Sequence, residues 1–217
     1  MTNVVNSHLA LGAVLRRWRL LHRVKQEYAA ELFGVNQSTI SRWEMGRQSM
    51  EPRELAKVEA VVSARLDASA DHILAALVSE SPRVVHLMCD LTHRLLACSS
   101  ARTAEFGVPE SELIGRSLWP YATAELTAEE KELADQGWYD RPAPPPLEID
   151  TSENCSTIVP IWRSRCRWTR LLLSDGTPVR LVETLHREPI ASIQSGRSAR
   201  ASSRLNRGCL LGASARS

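Results

Sequence analysis

The stretch Gln26-Glu-Tyr-Ala-Ala-Glu-Leu-Phe-Gly-Val-Asn-Gln-Ser-Thr-Ile-Ser-Arg-Trp-Glu-Met-Gly-Arg47 decides how the first part of this chain folds. Its beginning predicts a short helix from Lys25 to Phe33, with Ala29, Leu32 and Phe33 inward. Gly34 interrupts it where a tight turn wants a residue free to adopt positive φ. Asn36 suits the N-cap of a second short helix, Gln37 to about Met45. Gly46 is placed to end that helix in a left-handed conformation. Two short helices crossing steeply around a tight turn need a small residue at Ala29 and a flexible one at Gly34. If Val35, Ile40 and Trp43 face inward, the opposite face of the second helix displays Gln37, Ser38, Ser41 and Arg42. Such side chains suit base edges, because Arg pairs bidentately with guanine and Gln with adenine.

Outward from this stretch the chain stays helical. Leu11, Val14, Leu15, Trp18 and Leu21 recur at three- and four-residue spacing and form one apolar stripe, with Arg16, Arg17, Arg19 and Arg23 at other positions. Downstream, Pro52 opens a further helix to about Val62, with Leu55, Val58, Val61 and Val62 apolar.

With Ala29, Gly34, Val35, Ile40 and Ser41-Arg-Trp-Glu-Met-Gly46 at this spacing, residues 9–62 resemble the phage-repressor and Cro (XRE) class of helix-turn-helix regulators. The resemblance implies a recognition helix that enters the major groove by its N-terminal end. Base contacts then fall to Gln37, Ser38, Thr39 and Arg42. Phosphate contacts fall to Gln26, Asn36 and Arg47, with Arg17 and Arg53 as weaker candidates. Glu44 is structural by the same resemblance, pairing with an arginine of the first helix, here Arg19. The sequence departs from the pattern at Met50, where the family often has proline, and at Tyr28.

Beyond Arg65 the character changes. An amphipathic helix is expected over Asp67–Val78, with Leu66, Ile73, Leu74 and Leu77 on one side, as a linker or dimerisation helix. Strands follow at Val84–Cys89 and Arg94–Cys98, joined by a hairpin at Asp90–His93. Helical segments are expected over Ala101–Phe106, Ser111–Ile114 and, acidic, Ala128–Asp135. The run Arg141-Pro-Ala-Pro-Pro-Pro146 reads as a stiff surface loop. Strands are expected again at Ser156–Ser164, Arg167–Leu173 and Val179–Leu185, the last two joined by the hairpin signal Asp175-Gly176. The two early strands, followed by Ala101-Arg-Thr-Ala-Glu-Phe-Gly-Val-Pro-Glu-Ser-Glu-Leu-Ile-Gly-Arg-Ser117 and the closing hairpin, resemble a PAS domain. That resemblance implies a sensor fold holding a small molecule, haem or flavin, or a partner protein, and does not choose among them. His86, Cys89, His93 and Cys98 invite a metal reading, but His86 and Cys89 point to opposite faces of a strand, so no metal site is expected. Trp119, Trp138, Trp162 and Trp168 are read as core before pocket.

Charge supports two modules. Residues 1–65 carry ten Lys/Arg against six Asp/Glu, residues 66–146 six against thirteen, and residues 147–217 eleven against six. A basic head on an acidic middle suits a nucleic-acid module fused to a different domain. Five cysteines without a Cys-x-x-Cys pair argue for free thiols in a reducing compartment, so a cytoplasmic location is expected. No membrane span is expected. Catalysis is not expected either: Lys131 stands among Glu129, Glu130 and Glu132 on a helix read as solvated, and a lysine held charged is a poor base. The expected fold class is α+β: an all-α helix-turn-helix bundle (1–65), a linker helix (66–82), a mixed α/β PAS-like domain (83–188) and a disordered basic tail (189–217). The expected function is a sequence-specific transcriptional regulator of double-stranded DNA, a homodimer whose C-terminal domain senses a signal, with a small-molecule effector of undetermined identity among the candidates, or mediates dimerisation. The alternative is an antitoxin or scaffold whose C-terminal domain binds a protein.

Overall fold

The computed structural model describes residues 2–187, with side chains over residues 11–186. The tail expected to be disordered, 189–217, lies outside the described residues. Helix α1 (Thr2–Leu21) buries Leu11, Leu15 and Trp18 on one side, as the stripe demands. Helices α2 (Gln26–Phe33) and α3 (Gln37–Glu44) meet at Gly34, whose φ of 71° is the left-handed conformation the turn needs. Ile40 and Trp43 are buried against α1, with Val35 packed beside them. Helix α4 (Pro52–Val62) starts on its proline and buries Val58 and Val62. The Glu51 N–H donates to Glu54 Oε2 at 2.8 Å, which stops fraying at its start. Met50, the departure from the family pattern, is buried in the same core.

Two expectations for these helices need correction. Leu32 is 46% exposed. The buried stripe of α2 is Ala29, Ala30 and Phe33, and at 100° per residue Leu32 lies roughly 100° from its centre. Asn36 occupies the N-cap of α3 with extended backbone, but its side chain makes no capping hydrogen bond.

Helix α5 (Ser69–Ser79) is more than a linker. It buries Val78 and Asp71, and Asp71 Oδ1 accepts from the backbone N–H (2.9 Å) and hydroxyl (2.8 Å) of Ser174. That carboxylate ties the helix to a hairpin a hundred residues later in the chain. The expected apolar side is also corrected: Leu74 packs inward, while Ile73 and Leu77 stand 62% and 63% exposed.

The second half is a five-stranded antiparallel sheet, ordered β2-β1-β5-β4-β3. Its strands are β1 (Val85–Cys89), β2 (Leu95–Cys98), β3 (Leu147–Thr151), β4 (Ser164–Leu172) and β5 (Pro178–Arg187). Between β2 and β3 lie α6 (Ser100–Thr103), α7 (Glu110–Leu113), a single 3₁₀ turn at Trp119–Tyr121 and α8 (Ala124–Glu132). This is the PAS-like arrangement expected from sequence, and the Asp175-Gly176 hairpin joins β4 to β5 as read.

The strand expected at Ser156–Ser164 does not form. Its place is taken by β3, directly after the proline run. The Asn154 side chain explains the loop: its Oδ1 accepts from the Ile161 N–H (2.9 Å), and its Nδ2 donates to the carbonyls of Tyr121 (2.8 Å) and Val159 (3.0 Å). An Asn that satisfies backbone groups in this way competes with a strand ladder.

Alternation along β1 and β5 gives the sheet two different faces. Val85, Leu87, Cys89 and Val179 belong to the same apolar cluster as the helical bundle. His86, Met88, Val182 and Trp168 face the other way, toward α6–α8. Among the described residues no helix is long and apolar enough to cross a membrane. The four described cysteines, Cys89, Cys98, Cys155 and Cys166, are free thiols.

Candidate nucleic-acid interface

Burial of Ile40 and Trp43 turns the opposite side of α3 to solvent. Gln37, Ser38 and Arg42 are exposed there, and Thr39 is half-buried beside them. Arg42 lies back along the helix, donating from Nε to the Ser38 carbonyl (3.2 Å) and from Nη2 to Thr39 Oγ1 (3.4 Å). All four expected base-contact residues therefore share one surface. Asn36 and Arg47 are exposed at the two ends of α3.

That surface is held from behind. Arg19 of α1 makes a bidentate pair with Glu44, Nε–Oε1 at 2.8 Å and Nη2–Oε2 at 3.0 Å. The bond to Glu44 stabilises the charged guanidinium and raises its pKa. Arg19 Nη1 also donates to the Val24 carbonyl (2.9 Å). Gln26 Nε2 donates to Glu44 Oε2 (2.9 Å), and Gln26 Oε1 accepts from Gln37 Nε2 (2.5 Å). The pairing of Glu44 with Arg19 is as the resemblance implied. The commitment of Gln26 to both Glu44 and Gln37 was not foreseen, and it leaves its amide one N–H for any outside partner.

Residues 15–62 match the Helix-turn-helix family model. The helix-turn-helix domain supports a DNA-binding regulator, with DNA as its partner. The chain is similar, over 53% of its length, to 89% of the PAS domain of an HTR-like protein from Haloarcula marismortui, at 19% identity and a TM-score of 0.36. It is similar to the PAS domain of BvgS from Bordetella pertussis at 13% identity and a TM-score of 0.33, covering 57% and 90%. It is also similar to an RNA-binding Light-Oxygen-Voltage receptor at 13% identity and a TM-score of 0.38, covering 85% of this chain and 60% of that one. No curated protein matches the chain.

Behind the helix-turn-helix domain, between the sheet and α6–α8, lies a cavity of about 100 Å³. His86, Arg102, Trp119, Trp162 and Trp168 line it; of the four tryptophans read as core, Trp119 and Trp162 are cavity walls, and Trp168 is core that also touches the cavity. Trp138 is buried instead, donating from Nε1 to Asp90 Oδ2 at 3.0 Å. Burial, with Arg102 nearby, pushes the His86 imidazole down to about 3, so it is neutral. His86 faces the cavity while Cys89 faces the helical bundle, where its Sγ accepts from the Ala64 N–H at 3.3 Å. Among the described residues no group of three or more His, Cys, Asp or Glu side chains could hold a metal.

A buried charge network joins this cavity to the helix-turn-helix domain, and sequence reading missed it. Asp90 lies between two arginines that face each other across β4 and β5. Arg180 Nε donates to Asp90 Oδ1 (2.7 Å) and Arg170 Nε lies 3.3 Å from Oδ2. Arg180 also stacks on Trp168, 4.2 Å from the ring centroid. Its Nη1 donates to Glu130 Oε2 at 2.7 Å. Glu130 was grouped with the solvated carboxylates around Lys131; its side chain is 10% exposed. Burial pushes its pKa up, but Arg180 and His93 outweigh that and hold it at about 2. His93 Nε2 lies 3.4 Å from Glu130, and its ring stacks on Trp119 in the cavity wall at 4.4 Å. On the other side, Arg17 of α1 donates to the Tyr139 hydroxyl (2.9 Å) and lies 3.8 Å from Glu130. Arg17, expected as a weak phosphate candidate, thus faces the half of the molecule built on the sheet. No local pattern marks these residues, because their charged and hydrogen-bonded partners across elements lie from 37 (His93 to Glu130) to 122 (Arg17 to Tyr139) positions away.

Proposed function

We propose that the chain is a sequence-specific transcriptional regulator that reads double-stranded DNA as a homodimer and senses a small-molecule effector through its C-terminal domain. The observation that carries this reading is the exposed row Gln37, Ser38, Thr39 and Arg42, braced through Gln26, Glu44 and Arg19. In this reading the N-terminal end of α3 enters the major groove. Gln37 and Arg42 supply the most selective base contacts. Gln26, Asn36 and Arg47 hold phosphates, and the uncapped side chain of Asn36 suits that role. The division into a reading domain (1–65), a joining helix (66–82) and a sensing domain (83–188) belongs to the same proposal, as does a cytoplasmic location. The second copy docks on the outer face of α5, where Ile73 and Leu77 lie one turn apart.

An antitoxin or scaffold would offer a protein partner an apolar surface without an enclosed cavity. The cavity, and the contact of its wall with Arg17 through His93 and Glu130, favour sensing. The role is regulatory, with no catalytic step assigned to any residue.

The test is selection of random duplex DNA by the full chain, with binding followed against salt. An enriched palindrome, half-sites about one helical turn apart, is the expected result. Retention of DNA without sequence enrichment, fading steeply with salt, would overturn specificity and bring the partner-binding reading forward.

A further inference from the structure

The cavity between the sheet and α6–α8 has a size, a wall and a charge balance, and together they restrict what it can hold. At about 100 Å³ it is smaller than the ~150 Å³ that accommodates a benzene ring in an apolar protein interior and far below the ~300–1,000 Å³ of sites for drug-sized ligands. A haem or a flavin does not fit between these walls as they stand; a single ring with one small substituent enters only if side chains of the wall give way. Trp119, Tyr121 and Trp168 contribute aromatic rings to the wall, which suits a flat ligand.

Among the polar side chains of the lining, two bear on what it can hold. Arg102 is 7% exposed; its Nη1 donates to Glu105 Oε2 (2.6 Å) and to the Pro160 carbonyl (3.2 Å), while its buried Nε–H has no partner. A buried donor left unmatched costs about 1–3 kcal/mol, so a ligand that supplies an acceptor there recovers it. His86, 8% exposed on β1, turns its ring to the cavity. A neutral imidazole offers one donor and one acceptor.

Charge then decides the ligand's ionisation state. Arg102 is already matched by Glu105, His93 stands beside Glu130, and the His86 imidazole is neutral, so the lining offers no unmatched charge to offset an ion. An anion would enter beside a paired carboxylate, and a cation beside a guanidinium, both out of water.

We propose that the cavity binds a neutral, planar, single-ring compound carrying a hydrogen-bond-accepting oxygen, held by Arg102 Nε–H and His86. The proposal rests on the sensing reading of the C-terminal domain and names the class of effector it takes.

Four probes of nearly equal shape separate the alternatives: benzamide (neutral, with acceptor and donor), benzoate (anion), benzamidinium (cation) and toluene (no acceptor). Calorimetric titration of the full chain in the absence of DNA, with tryptophan fluorescence as a second readout, gives each affinity. Benzamide is expected to bind at least tenfold more tightly than the other three. Arg102→Lys keeps a positive charge beside Glu105 but removes the Nε–H, and is expected to erase most of benzamide's advantage over toluene. Ala122→Phe, which fills the cavity, is expected to abolish binding in a protein whose cooperative melting shows that it is folded. Tighter binding of benzoate or benzamidinium would overturn neutrality, and equal binding of toluene would overturn the acceptor. Failure of all four to bind would overturn the site. Because no DNA is present, any of these outcomes is independent of whether the chain selects a DNA sequence.

Discussion

Arg42 and Gln26 lie on one patch of the surface but are bound to their surroundings differently, and variants should separate them. Arg42→Ala is expected to cost about 1–3 kcal/mol at the preferred site and to relax base choice at one position, read by repeating the selection. Gln26→Ala removes a link in the chain from Glu44 to Gln37, so it should weaken binding to every sequence and also broaden the choice read by Gln37. A second prediction concerns protons. His86 is held near 3 when folded, against an ordinary value of 6.5, so the stability gained by keeping it neutral is full above pH 6.5 and drains away as pH falls toward 3. Denaturant titrations should therefore show stability falling by up to about 1.4 kcal/mol per pH unit between pH 6 and 5. His86→Gln is expected to flatten that slope while leaving a second loss below about pH 4.5, where Glu130, held near 2, requires its charge. A slope unchanged in the variant would assign the effect elsewhere. At this scale the Arg19–Glu44 pair was legible in sequence because both residues sit at family positions. Arg102, Asp90 and Arg180 were not, since a charged residue in a short helix, a turn or a strand reads as solvent-facing until its long-range partners are known.

Elements are positioned by a few close approaches. Gly12 of α1 packs against the backbone of Trp43, where any Cβ would collide with the Trp43 carbonyl. Gly12→Ala improves helix propensity by about 1 kcal/mol yet overpacks an unyielding backbone, a cost of about 1–3 kcal/mol or more. The collision is expected to win, giving a net loss of stability in urea and a displaced α3 that binds DNA less well. On α5 the exposed Ile73 and Leu77 give the opposite kind of prediction. Changing both to lysine is expected to leave the melting temperature within a few degrees, since neither is buried, but to shift the chain from dimer to monomer in sedimentation. Periodicity found α1 to α4 because each is a one-sided stripe. It placed α5 on the wrong face because Leu74 and Val78 make one diagonal row and Ile73 and Leu77 another, and spacing alone cannot say which row meets the sheet. It missed β3, a five-residue edge strand with Glu148 and Asp150 facing solvent, and it took the loop around Asn154 for a strand.

Across the whole molecule, the bundle and the sheet share one apolar cluster, and Arg17 crosses from one to the other. Arg17→Met removes its bonds to Tyr139 and Glu130 without touching α3. Effector-free DNA affinity is expected to change little, while the difference in affinity between ligand-free and benzamide-bound protein should collapse; a difference that survives would route the coupling elsewhere. That two modules would follow one another was legible in the charge blocks and in the change from helical to strand spacing. That they would lock together was not, because the contact joins residues 122 positions apart. The strand order has one more consequence, and it concerns time. The central strand β5 is the last among the described residues, pairing Val85 with Glu183, so the sheet has no middle until Pro178–Arg187 has been synthesised. At roughly 5–20 residues per second, and with N-terminal units folding first, the DNA-reading helices emerge several seconds before the cavity can close. Each newborn molecule thus passes through an interval in which the helical bundle is complete and the cavity is not; on the sensing proposal, an effector acts only on chains synthesised past Arg187.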